Sequence, residues 1–178
     1  ELVRRGHRSI VISAGGRLVE QLLGEGSEHL MWPVGAKHLK TLLLIPRVAR
    51  LLRERRPDIL HLRSRLPAWI GYLAWRTLPM GPRPRLVTTV HGAYRVNRYS
   101  AIMTRGERII AVSGTIRDYI LTHYPEVPPE RIQVIYRGID PRAFPYGHRP
   151  PEDWLEAWLR DFPQAQGKYL INLPARIT

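Results

Sequence analysis

The chain has 178 residues, a length sufficient for one hydrophobic core of ordinary size and short for two. Its 44% hydrophobic and 24% charged residues are typical of a globular domain, and the absence of cysteine excludes disulfides and thiolate metal sites. The net charge of +13, carried mainly by arginine, favours anionic partners: nucleic acid, anionic lipid headgroups or phosphorylated substrates.

The first predicted element is the end of a helix at residues 1–5, closed by Gly6, because helices often end on glycine. A domain seldom begins in the last turn of a helix, and the first residue is Glu1 rather than Met, so we expect further sequence upstream. The longest strongly apolar run, residues 41–45, is far too short to span a bilayer, and no signal-peptide pattern is present.

After this turn, short apolar runs alternate with longer amphipathic segments. Strands are predicted at residues 9–13, 29–32, 59–62, 85–90, 108–112 and 131–136, and helices at residues 18–23, 38–56, 67–77 and 115–124. Ser113 is the expected N-cap of the last of these helices. The continuous run of Ile and Val at residues 10–12 is typical of a strand covered on both faces. Strands that alternate with helices over short loops predict an α/β fold with a Rossmann-like, doubly wound parallel sheet.

The longest predicted helix, residues 38–56, has an apolar side and a basic side. Its apolar positions, which we expect to face the core, are Leu39, Leu42, Leu43, Val48, Leu51 and Leu52. Pro46 is expected to kink the helix. The basic edge of Arg47, Arg50 and Arg53 suits contact with anionic lipid, although a charged helix face is more often only solvated.

The character of the chain changes after Gly138. Several prolines mark an irregular connection, which is followed by a helix that holds Trp154 and Trp158. An apolar run at residues 168–173 then predicts another strand. A buried type of strand with no neighbour to pair with indicates a second domain, and we expect its remainder downstream.

Three segments, residues 87–92, 108–113 and 131–140, together resemble the N-terminal domain of the family four glycosyltransferases. Enzymes of that family have the GT-B fold, in which two Rossmann-like domains face each other across a cleft. The resemblance covers nearly the whole chain. It implies an acceptor-side domain at residues 1–140 that lacks its first strand, an interdomain connection with a helix at residues 141–167, and the first strand of a truncated donor-binding domain at residues 168–178.

The resemblance also implies a function. The intact protein would be a hexosyltransferase that moves a sugar from a nucleotide-sugar donor to a hydroxyl of a saccharide or lipid-linked acceptor, as in the synthesis of cell-envelope polysaccharide. It implies retention of anomeric configuration with no metal or other cofactor. We expect this part of the protein to be inactive alone, and the protein to be cytoplasmic, with peripheral contact at the inner face of an anionic membrane as one option.

His91 is the candidate catalytic residue. It follows the predicted strand 85–90, and ligands of doubly wound sheets bind outside the carboxyl ends of the strands. Without the resemblance, a histidine hydrogen-bonded to loop backbone would be the better interpretation. The resemblance implies instead that the imidazole points into the cleft at the transferring sugar, where it binds hydroxyls or shares developing charge.

The candidate acceptor-binding residues are Gly15, Gly16, Arg95 and Arg98. Glycines permit close backbone approach and guanidinium groups pair with phosphate or carboxylate, but a simple turn and a solvated basic surface explain these residues equally well. By resemblance, Arg176 would bind the donor diphosphate, with Ala175 in the place of a family glycine. The family usually has Asn where this chain has Arg137.

Other patterns are absent from the sequence. There is no Asp-x-Asp motif, no zinc-type cluster of His or Cys, and no phosphate-binding Gly-x-x-x-x-Gly-Lys loop, so metal-independent chemistry is the default.

Two alternative functions stay open. Another GT-B enzyme, such as a sugar-nucleotide epimerase, would need acidic residues at the carboxyl ends of the strands. A basic module that binds polyanions would show aromatic and basic residues interleaved, and no nucleic acid is expected as a partner.

Overall fold

A computed structural model describes residues 1–81 and 83–170 of the chain. It divides the chain into two compact units, Glu1–Arg137 and a second unit that begins at Gly138. Within the described residues, no helix is long and apolar enough to cross a membrane.

The first unit is built on two parallel sheets. The smaller sheet pairs β1 (Ile10–Ser13) with β2 (Glu28–Met31). The larger sheet contains, in spatial order, β3 (Ile59–Leu62), β4 (Arg85–Val90), β5 (Arg108–Ala111) and β6 (Ile132–Val134). Every pairing is parallel, so the predicted Rossmann-like α/β architecture is confirmed.

Helices connect these strands. They are α1 (Val19–Gly24), α2 (Leu44–Arg55), α3 (Arg65–Arg76) and α4 (Gly114–His123). Two predicted ends are confirmed. Gly6 adopts the left-handed conformation, with φ of 80°, and its N–H bonds to the Val3 carbonyl at the end of the short 3-10 helix Val3–Arg5. The Ser113 hydroxyl accepts a hydrogen bond from the Ile116 N–H at 3.2 Å and so caps α4.

The predicted helix 38–56 is in fact two elements, a 3-10 helix at Leu39–Leu43 and then α2. Pro46 lies in the first turn of α2, where its missing N–H leaves no hydrogen bond unmade, so the expected kink was wrong. The predicted apolar positions also differ in burial. Val48 and Leu52 are buried, whereas Leu39, Leu42 and Leu43 are exposed, with 84%, 49% and 72% of their surface accessible.

The reason lies in the geometry of the 3-10 helix. With about three residues per turn, Leu39 and Leu42 share one face, and a different face meets the protein. That inner face is marked by Thr41, which is buried and donates a hydrogen bond from its hydroxyl to the Ala36 carbonyl at 2.7 Å. The three leucines therefore point to solvent rather than to the core.

Two clusters of buried side chains form the core of the first unit. One lies between the larger sheet and helices α3 and α4, and it includes the fully buried Leu86, Ile109 and Ile120. The other joins α2 and α3 to the inner faces of both sheets through Ile12, Leu30 and Leu60. Helix α3 contributes to both clusters and links them.

The strand β1 is less covered than its sequence predicts. None of its four residues is buried, and Ile59 on β3 is 59% exposed. Among the described residues, β1 pairs only with β2 and β3 only with β4, so each of these strands has one edge without a described partner. In the doubly wound order a first strand lies between the second and the fourth. The assignment of the domain as one that lacks its first strand stays a prediction.

The second unit contains the helix α5 (Glu152–Asp161), at the position that the sequence predicts. The rings of Trp154 and Trp158 stack on this helix with centroids 6.2 Å apart, but none of the helix residues is buried. The predicted strand 168–173 is not formed at residues 168–170. Its remaining residues lie outside the described part of the chain.

Gly106 offers a test of how closely β4 and β5 pack. A Cβ at this position would lie 2.5 Å from the Arg108 carbonyl oxygen and 2.7 Å from the Thr88 hydroxyl, so the backbone would have to shift. We expect Gly106→Ala to lower the free energy of unfolding by about 1–3 kcal/mol in denaturant titrations. The matched control is Gly114→Ala, where a Cβ meets no atom within 4 Å. Equal stability of the two variants would contradict this packing.

Candidate functional site

The carboxyl ends of the strands in the larger sheet bring three basic residues together. β3 is followed directly by Arg63, β4 by His91, and β6 by a short extended segment that leads to Arg137. That segment is held in place by the Ile135 N–H, which donates to the Ala111 carbonyl at 2.9 Å. Because the strands are parallel, residues far apart in sequence meet at one edge of the sheet.

His91 lies at the centre of this group and is half-buried. Its Nδ1 atom is 2.9 Å from a terminal nitrogen of Arg137, and its backbone N–H donates to the Tyr94 hydroxyl at 3.4 Å. Burial, followed by the charges of Arg63 and Arg137, lowers the pKa of His91 below its ordinary value, and only the main-chain carbonyl of Arg63 opposes this. These surroundings therefore favour the neutral form of the imidazole.

A second histidine stands beside this site. His61 lies on β3, and its Nε2 atom is 2.6 Å from the hydroxyl of Thr89 on β4. Loss of contact with water, together with the charges of Arg63 and His91, lowers the pKa of His61. Neither His61 nor Arg63 was among the predicted site residues. The position of Arg63 directly after a strand was the signal that could have found it.

The loop after β4 is well anchored. The guanidinium of Arg65 lies over the rings of Tyr94 and Tyr99, at 5.0 and 5.4 Å from their centroids. The Trp69 indole N–H donates to the Tyr99 carbonyl at 3.0 Å, and the Tyr119 hydroxyl donates to the Tyr94 carbonyl. These contacts hold the segment that carries His91 in a defined conformation.

Arg95 and Arg98 project from this anchored loop and are exposed. The ion pairs of the described residues involve other arginines: Arg5, Arg8, Arg55, Arg85, Arg117 and Arg142. Arg63, Arg95, Arg98 and Arg137 thus carry charges that no carboxylate in the described part of the chain neutralises. This edge of the sheet is suited to bind anionic or hydroxyl-rich groups.

Gly15 and Gly16 follow the carboxyl end of β1 in the smaller sheet. Their φ values of 98° and 137° belong to conformations that side chains disfavour, so the turn itself requires glycine. The Gly15 N–H donates to the Ser13 hydroxyl at 3.2 Å, which is 2.8 Å from Nε2 of His29. The structure explains the glycines as a turn, and their contact with an acceptor stays a prediction.

The last points concern the donor-binding residue and metal-binding side chains. Arg176, the predicted donor-binding residue, lies outside the described residues. Across residues 1–81 and 83–170, no group of three or more His, Cys, Asp or Glu side chains is arranged to hold a metal ion.

Comparison with known proteins gives this geometry a context. Residues 1–143 match the family model described as Glycosyltransferase Family 4. A glycosyltransferase from Rickettsia africae ESF-5 is similar in structure, with a TM-score of 0.75 and 31% identity over 99% of this chain and 47% of that one. No curated protein matches the sequence.

A second solved structure, that of Anabaena HepE in complex with UDP and glucose, shares the fold at a TM-score of 0.61. It is 15% identical, over 86% of this chain and 42% of its own length. The chain therefore spans less than half the length of both solved structures.

The two histidines predict how stability depends on pH. The pKa values of His61 and His91 lie below the ordinary 6.5, so below about pH 6.5 the unfolded chain binds more protons than the folded chain. The free energy of unfolding should fall as the pH drops from 7.5 to 5, as measured by denaturant titrations. In the double variant His61→Gln/His91→Gln the free energy of unfolding should fall less steeply with pH. In the control His7→Gln it should fall as steeply as in the parent. An unchanged slope in the double variant would contradict this electrostatic picture.

Proposed function

Because the chain belongs to glycosyltransferase family 4, we propose that the whole protein transfers a sugar from a nucleotide-sugar donor to a hydroxyl of a saccharide or lipid-linked acceptor. The observation that carries the proposal is the position of His91. It stands at the carboxyl end of β4, neutral and half-buried, between two arginines that no described carboxylate neutralises. This chain would provide the acceptor-side surface and His91.

The chemistry suits such a site. In the reaction a bond forms between the acceptor oxygen and the anomeric carbon, the bond from that carbon to the donor phosphate breaks, and the acceptor proton leaves with the diphosphate or to solvent. A hydrogen bond from His91 to a sugar oxygen stabilises charge that develops as the bonds change. Positive charge from Arg63 and Arg137 favours the departing diphosphate or an anionic acceptor. We propose retention of configuration and a metal-independent hexosyl transfer.

The remaining candidates take supporting roles in this proposal. Gly15 and Gly16 would lie against the acceptor, and Arg95 and Arg98 would bind its anionic groups. Arg176 would bind the donor diphosphate together with a donor-binding domain, and residues 168–178 would belong to that domain. Synthesis of cell-envelope polysaccharide on the cytoplasmic side of a membrane is the setting that we propose.

A specific surface supports peripheral contact with the membrane. Leu39, Leu42 and Leu43 are exposed on the 3-10 helix that precedes α2, and Lys37 and Lys40 lie beside them in the sequence. Exposed leucines flanked by lysines fit the interface of an anionic bilayer, since the apolar groups enter the acyl boundary and the cations meet the headgroups. On α2, Arg50 and Arg53 are exposed, whereas Arg47 stacks on Trp32 at 4.2 Å.

A transferase assay tests the function. The assay uses this chain completed by the parts of the Rickettsia africae chain that it does not cover. It measures release of nucleoside diphosphate from several nucleotide sugars with saccharide and lipid-linked acceptors. We expect turnover that persists in EDTA. His91→Ala should lower kcat by about 10²–10³-fold, the cost of one lost hydrogen-bond donor at a reacting centre.

The control for this assay is His7→Ala, which should leave turnover unchanged because His7 lies outside the site. The free energies of unfolding of both variants should lie within about 1 kcal/mol of that of the parent, as expected for substitutions outside the core. Full turnover by His91→Ala would remove His91 from the mechanism. A folded parent protein that releases no diphosphate with any donor would contradict the proposed function.

Vesicle sedimentation tests the membrane contact. The chain should bind vesicles of phosphatidylglycerol and not those of phosphatidylcholine, and less at high salt. Replacing Leu39, Leu42 and Leu43 by Ser should lower the partition coefficient by about tenfold or more, since apolar burial drives insertion. The matched control replaces Leu2, Leu18 and Leu23, which are also exposed, by Ser. If the two triple variants lowered the partition coefficient equally, the assignment of Leu39, Leu42 and Leu43 as the membrane-binding surface would be contradicted.

A further inference from the structure

We propose that Arg137 is a positioning residue that fixes the tautomer of His91, so that the ring presents an Nε2–H donor to the substrate and does not act as a base. The inference rests on the proposed function and deepens it. It assigns a role to Arg137, which was not among the predicted site residues.

The hydrogen-bonding capacity of arginine determines the direction of the contact between Arg137 and His91. A guanidinium has only N–H donors and no acceptor, and it keeps its proton throughout the pH range of folded proteins. The contact of 2.9 Å between Arg137 and Nδ1 of His91 therefore has one possible direction. The guanidinium donates, Nδ1 accepts, and the single proton of the neutral ring resides on Nε2.

The surroundings of the ring agree with this direction. The other groups that act on His91 are His61, the Tyr94 hydroxyl, which accepts from the His91 backbone N–H, and Arg63 through its charge and its carbonyl. The Arg63 carbonyl raises the pKa of His91, as an acceptor beside a ring that carries an N–H does. Protonation of Nδ1 would set two donors against each other and break the contact with Arg137.

The chemical consequence is a restriction on what His91 can do. Nδ1 is occupied by the guanidinium and Nε2 already holds a proton, so neither nitrogen is free to accept the proton of an acceptor hydroxyl. The ring can still donate from Nε2 to a substrate oxygen. His91 then acts by hydrogen-bond donation to the sugar. An Asn at position 137 would impose no such restriction, since an amide can donate or accept.

The tautomer can be read directly by long-range ¹H–¹⁵N NMR of the labelled 178-residue chain, with the His91 signals assigned from their loss in His91→Gln. We expect the parent to show an unprotonated Nδ1 and a protonated Nε2 at pH 8. Arg137→Lys keeps a donor-only side chain and should preserve this pattern. Arg137→Glu can only accept, so it should move the proton to Nδ1 and raise the titration midpoint of His91 by about one unit or more.

The control is Arg53→Glu, the same change of charge on the exposed side of α2, which should leave the His91 spectrum unchanged. A parent spectrum with the proton on Nδ1, or a His91 pattern in Arg137→Glu that matches the parent, would overturn the proposal. Because Arg137 is exposed and outside the core, folding is not at risk, and backbone NMR spectra verify it.

This experiment separates the inference from the function on which it rests. If the tautomer is as proposed but His91→Ala turns over normally in the transferase assay, the role of His91 fails and the assignment of Arg137 as the group that fixes its tautomer stands. If the tautomer is not fixed but His91→Ala loses turnover, Arg137 has no positioning role and the proposed function stands.

Discussion

Parallel pairing of β3, β4, β5 and β6 is the constraint on which the rest of this protein depends. Parallel strands require a crossover after each strand, so every carboxyl end opens onto the same edge of the sheet. At that edge the chain places Arg63, His91 and Arg137, each at or soon after the end of a different strand. The buried side chains of β4 and β5 fix the register of the sheet, and the register fixes which of these groups meet. The site is thus a product of the core beneath it.

The charge of the site follows from the same arrangement. Guanidinium groups lie together at this edge with no described carboxylate to pair them, while the ion pairs among the described residues lie elsewhere. An imidazole in this field stays neutral, because protonation would add a further positive charge to a partly desolvated position. A neutral histidine among cations suits a reaction in which an anionic leaving group departs from a sugar. The electrostatics and the proposed transfer therefore support each other.

The sequence predicted the alternation of strands and helices because hydrophobic periodicity and caps are local signals, and Ser113 and Gly6 acted as expected. It also predicted His91 at the end of β4. It did not predict the contact of His91 with Arg137, since the two residues are 46 positions apart and meet only through the register of three strands. Periodicity likewise failed at Leu39, Leu42 and Leu43, because an α-helical pattern does not distinguish a 3-10 turn that faces solvent. The coverage of β1 was overestimated because burial depends on neighbouring strands.

The central claim is that the carboxyl edge of the larger sheet is the surface that binds the sugar substrates. An NMR titration of the ¹⁵N-labelled chain with common disaccharides, as examples of the proposed saccharide acceptor, tests it most directly. We expect the largest chemical-shift changes at the amides of Arg63, His91 and the loop that carries Arg95, and we expect them to saturate together. Changes confined to the outer face of α2 or to the second unit, with the carboxyl edge unaffected, would contradict it.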